Sequence, residues 1–183
     1  MRAELIRHPA FSCDAVSAIA VKVERSSAGV LRLRYVARGV TDGLTVPPPA
    51  PAERTDELWK TTCFEAFVRA GEGSAYYEFN LSPSSRWAAY RFDGYRERMR
   101  PAQEIAQPLI ALRRAGERLE LEVSLGLGGT DLPAETPWRL GLSAVIAETS
   151  GRSSYWALAH PGRRPDFHDA IGFARELPVT ERP

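Results

Sequence analysis

Alternation of apolar and polar positions is the dominant pattern along this chain. Residues 18–24 (AIAVKVE) and 30–37 (VLRLRYVA) alternate on either side of the turn sequence SSAG, and this arrangement predicts a β-hairpin. Further strands are predicted at 62–69, 75–81, 86–92, 108–114, 118–125, 138–147 and 154–159. Beyond residue 161 the pattern is irregular and predicts only a short helix near 169–175.

These closely spaced strands, about nine in number and without a long helix between them, predict an all-β fold. We interpret it as an antiparallel β-sandwich of the jelly-roll type. Residues 1–183 are enough for one domain with its own hydrophobic core. Prolines concentrate in residues 41–56, so that segment is predicted to be a surface loop rather than a domain boundary.

Composition excludes several classes of function. The 24 basic and 23 acidic side chains leave a net charge of +1, which does not favour binding to nucleic acid. Charged residues interrupt the N-terminal segment, and the longest apolar stretch, 15–23, is too short to cross a bilayer. We therefore expect a cytoplasmic protein without a membrane contact. Cys13 and Cys63 are predicted to be reduced thiols.

The segment 57–95 holds most of the candidate chemistry. Strand alternation places Glu65 on one face of its strand, and Glu78 and Asn80 on one face of the next. A carboxylate among aromatic neighbours needs a donor, and Arg86 is the nearest in sequence. In one interpretation these carboxylates lie on a solvated face and pair with arginines. In the other they line a concave face and bind ligand hydroxyls.

The aromatic residues of the chain suggest that the ligand in the second interpretation is a sugar. Saccharide recognition combines aromatic rings that stack on C–H surfaces with fixed donors and acceptors for the hydroxyls. Trp59 and Trp156 are the candidate stacking residues, whereas Trp87 and Trp138 are assigned to the core.

The same residues carry a family resemblance. Trp59, Glu65, the sequence 77–80 (YEFN), Pro83 and Arg86 resemble family 9 carbohydrate-binding modules and the wider DOMON-like group, and residues 154–161 and 165–168 extend the resemblance to a bacterial DOMON-like subgroup. The resemblance implies a β-sandwich that binds sugars or, in some members, haem. It further implies that Trp59 and Trp156 clamp the sugar, that Glu65 and Arg86 hold its hydroxyls, and that Glu78 or Asn80 assists.

Cofactor binding is an alternative with weaker support in the sequence. His160, His168 and Met99 are available as haem ligands, but no spacing places two of them opposite each other. Asp166 and Asp169 could hold a structural calcium ion, or one of them could cap a helix. We expect no cofactor and no metal site.

Two further classes of function stay open. Glu65 and Glu78 could form a glycosidase pair, although we expect no catalytic residue. The domain could instead be an assembly module, for example a homodimer, and Trp59 and Trp156 would then be buried against protein. The favoured hypothesis is non-catalytic recognition of a saccharide or a similar small polar ligand by Trp59, Glu65, Glu78, Asn80, Arg86 and Trp156.

Overall fold

Antiparallel strands make up nearly all the regular structure of the computed structural model, which describes residues 1–179. The last four residues of the predicted 1–183 domain lie outside the described part. The strands are β1 (Arg2–Arg7), β2 (Ala18–Arg25), β3 (Val30–Arg38), β4 (Cys63–Ala70), β5 (Tyr76–Leu81), β6 (Trp87–Phe92), β7 (Arg100–Pro101), β8 (Leu109–Ala115), β9 (Arg118–Gly126), β10 (Trp138–Ala147), β11 (Ser153–Ala157) and β12 (Arg175–Leu177). Three 3-10 helices lie at Thr41–Gly43, Leu58–Lys60 and Ala170–Gly172. The predicted all-β fold is confirmed, with the additional short strands β1, β7 and β12.

The strands follow one curled path, in the order β7-β6-β5-β4-β10-β11-β1-β2-β3-β9-β8, and β12 pairs with β10. Strand β1 takes part in both halves of this path. Leu5 pairs with Ile19 of β2, whereas the next residue, Ile6, pairs with Ala157 of β11. We call β2, β3, β9 and β8 the first sheet, and β7, β6, β5, β4, β10, β11 and β12 the second sheet. The two sheets together form the sandwich.

The main hydrophobic core lies between the sheets. The inward side chains of β4 and β5 include Phe64, Ala66, Val68, Tyr77, Phe79 and Leu81, and all of them are buried. Tyr35 of the first sheet packs against Phe64 with ring centroids 5.0 Å apart. Its hydroxyl donates to the backbone carbonyl of Glu65 at 2.7 Å, so a polar bond as well as apolar packing joins the sheets. Trp87 and Trp138 belong to this core, as predicted.

Because side chains alternate along a strand, the remaining residues of β4 and β5 face away from the main core. At one end of this outer face a second apolar cluster forms from Phe67, Tyr76, Phe92 and Phe173. The C-terminal segment therefore folds back across the outer face of the second sheet. Polar residues of β4 and β5 lie beside this cluster and are covered rather than solvated.

The helix predicted near 169–175 is only a single 3-10 turn in the structure. Asp169 accepts a hydrogen bond from the backbone N–H of Ile171 at 2.8 Å, which begins a 3-10 turn over Ala170–Gly172. The chain then extends to form β12, where Leu177 pairs with Trp138. Pairing with β10 prevents the turn from continuing as a helix. Within residues 1–179, no helix has the length and apolar character needed to cross a membrane.

Candidate functional site

A cavity of about 770 Å³ opens on the outer face of the second sheet. Its floor comes from β4, β5, β10 and β11, and its walls come from the segment before β4, the loop before β7 and the C-terminal segment. The lining residues are Asp56, Glu57, Trp59, Glu65, Glu78, Asn80, Tyr90, Phe92, Arg96, Met99, Pro101, Val145, Tyr155, Pro165, Phe167 and His168. This volume is within the range of small-molecule sites.

Trp59 stands at the rim of the cavity. It lies in the 3-10 turn Leu58–Lys60, which Leu58 anchors by its own burial. Trp59 is 51% exposed, although a large aromatic side chain loses free energy by remaining in water. An indole held in the open beside a cavity has the placement needed to stack on a bound ligand.

Three buried polar side chains lie on the floor. Strand register sets Glu65 opposite Asn80 on β5 and opposite Ser143 on β10. Ser143 Oγ donates to Glu65 Oε2 at 3.0 Å, and Asn80 Nδ2 donates to Glu78 Oε1 at 2.7 Å. Glu65, Glu78 and Asn80 are all buried. The structure thus brings three of the predicted binding residues to one surface, with neutral donors on both carboxyl groups.

Burial changes the protonation of these acids. Loss of solvent raises the pKa of Glu65 to about 8, and the nearby charge of Glu78 acts in the same direction. Loss of solvent also raises the pKa of Glu78 to about 7, while the hydrogen bond from Asn80 opposes the shift. Near neutral pH the pair therefore retains protons that exposed carboxyl groups would have lost.

The C-terminal segment supplies one wall through His168. Its Nδ1 lies 2.7 Å from the hydroxyl of Tyr76, and its Nε2 lies 3.8 Å from Glu78 Oε2. Burial, followed by repulsion from Arg96, lowers the pKa of His168 to about 4. His168 is therefore neutral at pH 7 and does not balance the charge of Glu78.

Among the described residues, Arg96 is the one cationic side chain that lines the cavity, and it already pairs with Asp166. Its guanidinium donates to Asp166 at 2.9 Å. Asp166 also accepts hydrogen bonds from Tyr95 and from the backbone N–H of His168. Asp166 thus fixes the loop that carries Arg96 to the segment that carries His168.

Two predicted binding residues lie away from the cavity. Arg86 is partly exposed and pairs with Glu53 of the proline-rich loop at 3.0 Å, so it does not reach the buried carboxyl groups. Trp156 points into the main core, 3% exposed, and its Nε1 donates to Ser154 Oγ at 3.0 Å. The predicted clamp of Trp59 and Trp156 is not formed, because Trp156 faces the interior of the sandwich.

Other lining residues were not predicted. Tyr155 precedes Trp156 on β11 and so faces the opposite side, where it pairs with Val145 on the cavity floor. Tyr90 lies opposite Glu78 on β6, and alternation on that strand could have identified it. Phe167 comes from the irregular C-terminal segment, which carries no periodic signal.

The structure places the candidate cofactor ligands in different surroundings. His168 and Met99 both line the cavity, whereas Nε2 of His160 lies 2.8 Å from the backbone carbonyl of Ile6 outside it. The carboxylates of a haem would face an acidic floor with Arg96 already paired to Asp166. For calcium, Asp169 serves as a cap, and no cluster of three or more His, Cys, Asp or Glu suited to a metal ion occurs among residues 1–179.

Comparison with known proteins finds similar structures but no match to a family model or a curated protein. The chain is similar in structure to a candidate carbohydrate-binding protein from Bacteroides uniformis, with a TM-score of 0.68, 14% identity and coverage of 93% of this chain and 83% of that one. It is also similar to a family 9 carbohydrate-binding module from Caldicellulosiruptor kristjanssonii in complex with glucose, with a TM-score of 0.56, 13% identity and coverage of 99% and 86%. The chain therefore has a β-sandwich fold of the kind found in carbohydrate-binding modules.

Proposed function

We propose that this protein is a non-catalytic saccharide-binding domain whose site is the cavity on the second sheet. One observation carries the proposal: Trp59 stands half exposed above a floor of hydrogen-bonding groups. A pyranose has apolar C–H surfaces that stack on an indole and hydroxyls that need paired donors and acceptors. The floor offers both kinds of group, because Asn80 and a protonated Glu65 donate while Glu78 accepts.

The fold supports this proposal independently of the residues. Two structures with the same sandwich are described as a candidate carbohydrate-binding protein and as a family 9 module bound to glucose. The relationship to DOMON-like domains stays a prediction from the sequence resemblance.

The placement of the two acids supports binding rather than hydrolysis. Glycoside hydrolysis needs one protonated carboxyl group and one ionised carboxylate on either side of the scissile bond. Glu65 and Glu78 both lie on the floor of the cavity rather than on facing walls. A glycosidic bond above the floor therefore does not lie between them, and we expect no cleavage of aryl glycosides.

Titration with saccharides tests the proposal. Isothermal titration calorimetry and tryptophan fluorescence would be recorded with glucose, galactose, mannose and their disaccharides at millimolar concentration. We expect saturable binding, and we expect Trp59→Ala to weaken it by about tenfold or more through loss of stacking. Because Trp59 is half exposed, the variant should keep the wild-type urea midpoint.

Lys60→Ala provides a matched control from the same 3-10 turn. Its amino group pairs with the exposed Glu57 at 2.6 Å, and its loss should leave saccharide affinity within about twofold. The proposal fails if no saccharide binds the folded protein, or if Trp59→Ala binds as tightly as the wild type.

A further inference from the structure

Among the described residues, the buried glutamates of the cavity lack the basic partners that buried glutamates elsewhere in the protein have. Four glutamates are buried among the described residues: Glu65, Glu78, Glu120 and Glu148. Glu120 accepts hydrogen bonds from Arg34 and Arg118, and Glu148 lies 3.4 Å from Arg152 and accepts two backbone N–H groups. The two glutamates on the cavity floor have no arginine or lysine within ion-pair distance in residues 1–179.

Each floor glutamate also keeps one oxygen free for a ligand. Glu65 is 3% exposed, and only its Oε2 has a hydrogen bond, from Ser143, within the described chain. Glu78 uses Oε1 for Asn80, and its Oε2 has the neutral His168 at 3.8 Å. Neither of these two oxygens is among the fully buried polar atoms that lack a hydrogen-bond partner in the described residues. Both oxygens are therefore accessible to a ligand in the cavity.

The rest of the lining adds to the negative character of the cavity. Its acidic side chains are Asp56, Glu57, Glu65 and Glu78, and its single arginine is Arg96. Of these, Glu57 pairs with Lys60 and Arg96 pairs with Asp166, so the acids without a basic partner in the described part of the chain are those of the floor and Asp56. Aromatic rings complete the lining, namely Trp59, Tyr90, Phe92, Tyr155 and Phe167. Carboxylates surrounded by aromatic faces favour an organic cation, since ring faces attract positive charge and the carboxylates pair with it.

We infer that the ligand of this cavity carries a protonated amine, held by Glu65 and Glu78, and that the saccharide is therefore an amino sugar. The inference rests on the proposed function, because it assigns the charge of the saccharide that the same cavity binds. An ammonium group offers three N–H donors and one positive charge. It can donate to the free oxygen of each floor glutamate and take the place of the arginine partners that the other buried glutamates have.

Proton release follows from the same arrangement. The groups that face the two acids come from every surrounding element. They are Tyr76 and Asn80 from β5, Cys63 from β4, Ser143 from β10, Tyr90 from β6, Tyr155 from β11, Arg96 from the loop before β7, His168 from the C-terminal segment, and Asp56 and Glu57 from the segment before β4. Burial keeps Glu65 and Glu78 partly protonated at pH 7. An incoming ammonium favours the ionised forms and expels the retained proton, whereas a neutral sugar does not.

Calorimetry of the full chain with matched sugars tests the inference. Glucosamine, galactosamine and mannosamine would be compared with glucose, galactose and mannose, and with the N-acetyl hexosamines, which lack the charge. Titrations at pH 7 in phosphate and in MOPS count the protons released. We expect at least one hexosamine to bind about tenfold or more tightly than its parent sugar. We also expect roughly one proton to be released per amine bound, and the N-acetyl form to behave as the parent does.

Variants separate charge from shape. Glu65→Gln and Glu78→Gln keep the size of each side chain and remove its charge, so we expect each to reduce the hexosamine preference to about threefold or less. Glu120→Gln removes a buried carboxylate from the other sheet and should leave the preference unchanged. Urea midpoints establish that each variant is folded.

The outcomes distinguish the two proposals. Equal affinity for hexosamine and parent sugar, or a preference that persists in both floor variants, overturns the amino-sugar inference and leaves saccharide binding intact. Absence of binding by every sugar, charged or neutral, overturns both. Binding of cyclohexylamine without binding of any sugar would keep the cation site but overturn the amino-sugar assignment.

Discussion

Stability as a function of pH gives a direct test of the buried acid on β4. Burial raises the pKa of Glu65 from 4.5 to about 8 in the folded protein. Between these values the folded state keeps a proton that the unfolded state has lost, so the free energy of unfolding falls as pH rises. Glutamine does not titrate in this range, so the free energy of unfolding of Glu65→Gln should not fall in this way as pH rises.

The size of the effect follows from the shift. Each pH unit within the window corresponds to about 1.4 kcal/mol, so the interval from pH 5 to pH 8 has an upper limit of roughly 4 kcal/mol. Coupling to Glu78 and access of water to the cavity reduce this, and we expect about 2 to 4 kcal/mol. The variant should match the wild type at pH 5, where both side chains are neutral, and exceed it at pH 8.

Urea unfolding followed by tryptophan fluorescence at pH 5, 6, 7 and 8 measures the difference. His168 contributes in the opposite direction, since its lowered pKa of about 4 makes stability rise with pH up to about 6.5. That contribution is common to both proteins and cancels in the comparison. A difference between variant and wild type that changes by less than about 1 kcal/mol from pH 5 to pH 8 would refute the reasoning.

Glu120→Gln is the matched control. Arg34 and Arg118 hydrogen-bond to Glu120 and lower its pKa to about 2. Its charge is therefore the same at pH 5 and pH 8, and the variant should lose stability equally at both. If the stability that this variant loses differed between pH 5 and pH 8, the pH dependence of unfolding could not be assigned to the cavity.

Three other substitutions test the fold around the site. Tyr35→Phe removes the bond to the carbonyl of Glu65 and should cost about 1–2 kcal/mol in urea unfolding with saccharide affinity unchanged. Trp156→Phe shrinks a core residue and should cost roughly 1–3 kcal/mol, again without loss of affinity in calorimetry, whereas a clamp role would abolish binding. Arg86→Ala breaks a partly exposed pair with Glu53 and should change both stability and affinity little, by at most about 0.5 kcal/mol.

Alternation alone predicted the faces of β4 and β5. Glu65 and Glu78 lie on the outer face, and Phe64 and Phe79 lie in the core, as the period of two requires. The same rule could not choose between Tyr155 and Trp156. Neighbouring aromatic residues on a short strand both fit either face, and only pairing with β10 decides which one reaches the cavity.

The remaining differences arise from long-range contacts. Arg86 was expected to donate a hydrogen bond to Glu65. The donor is instead Ser143, 78 residues away in sequence. His168 and Phe167 reach the cavity because the C-terminal segment packs over the second sheet, next to Phe173. No local pattern in that segment encodes the sheet that it covers.

The strand shared by both sheets has a consequence for how the protein is made. Residues 6 and 7 pair with residues 156 and 157, so the ribosome must have synthesised most of the chain before the first strand can complete its contacts. Contacts between such distant segments slow folding, because a long loop must close before they form. The cavity wall at 165–168 emerges later still. The cavity is therefore complete only after the sandwich has closed.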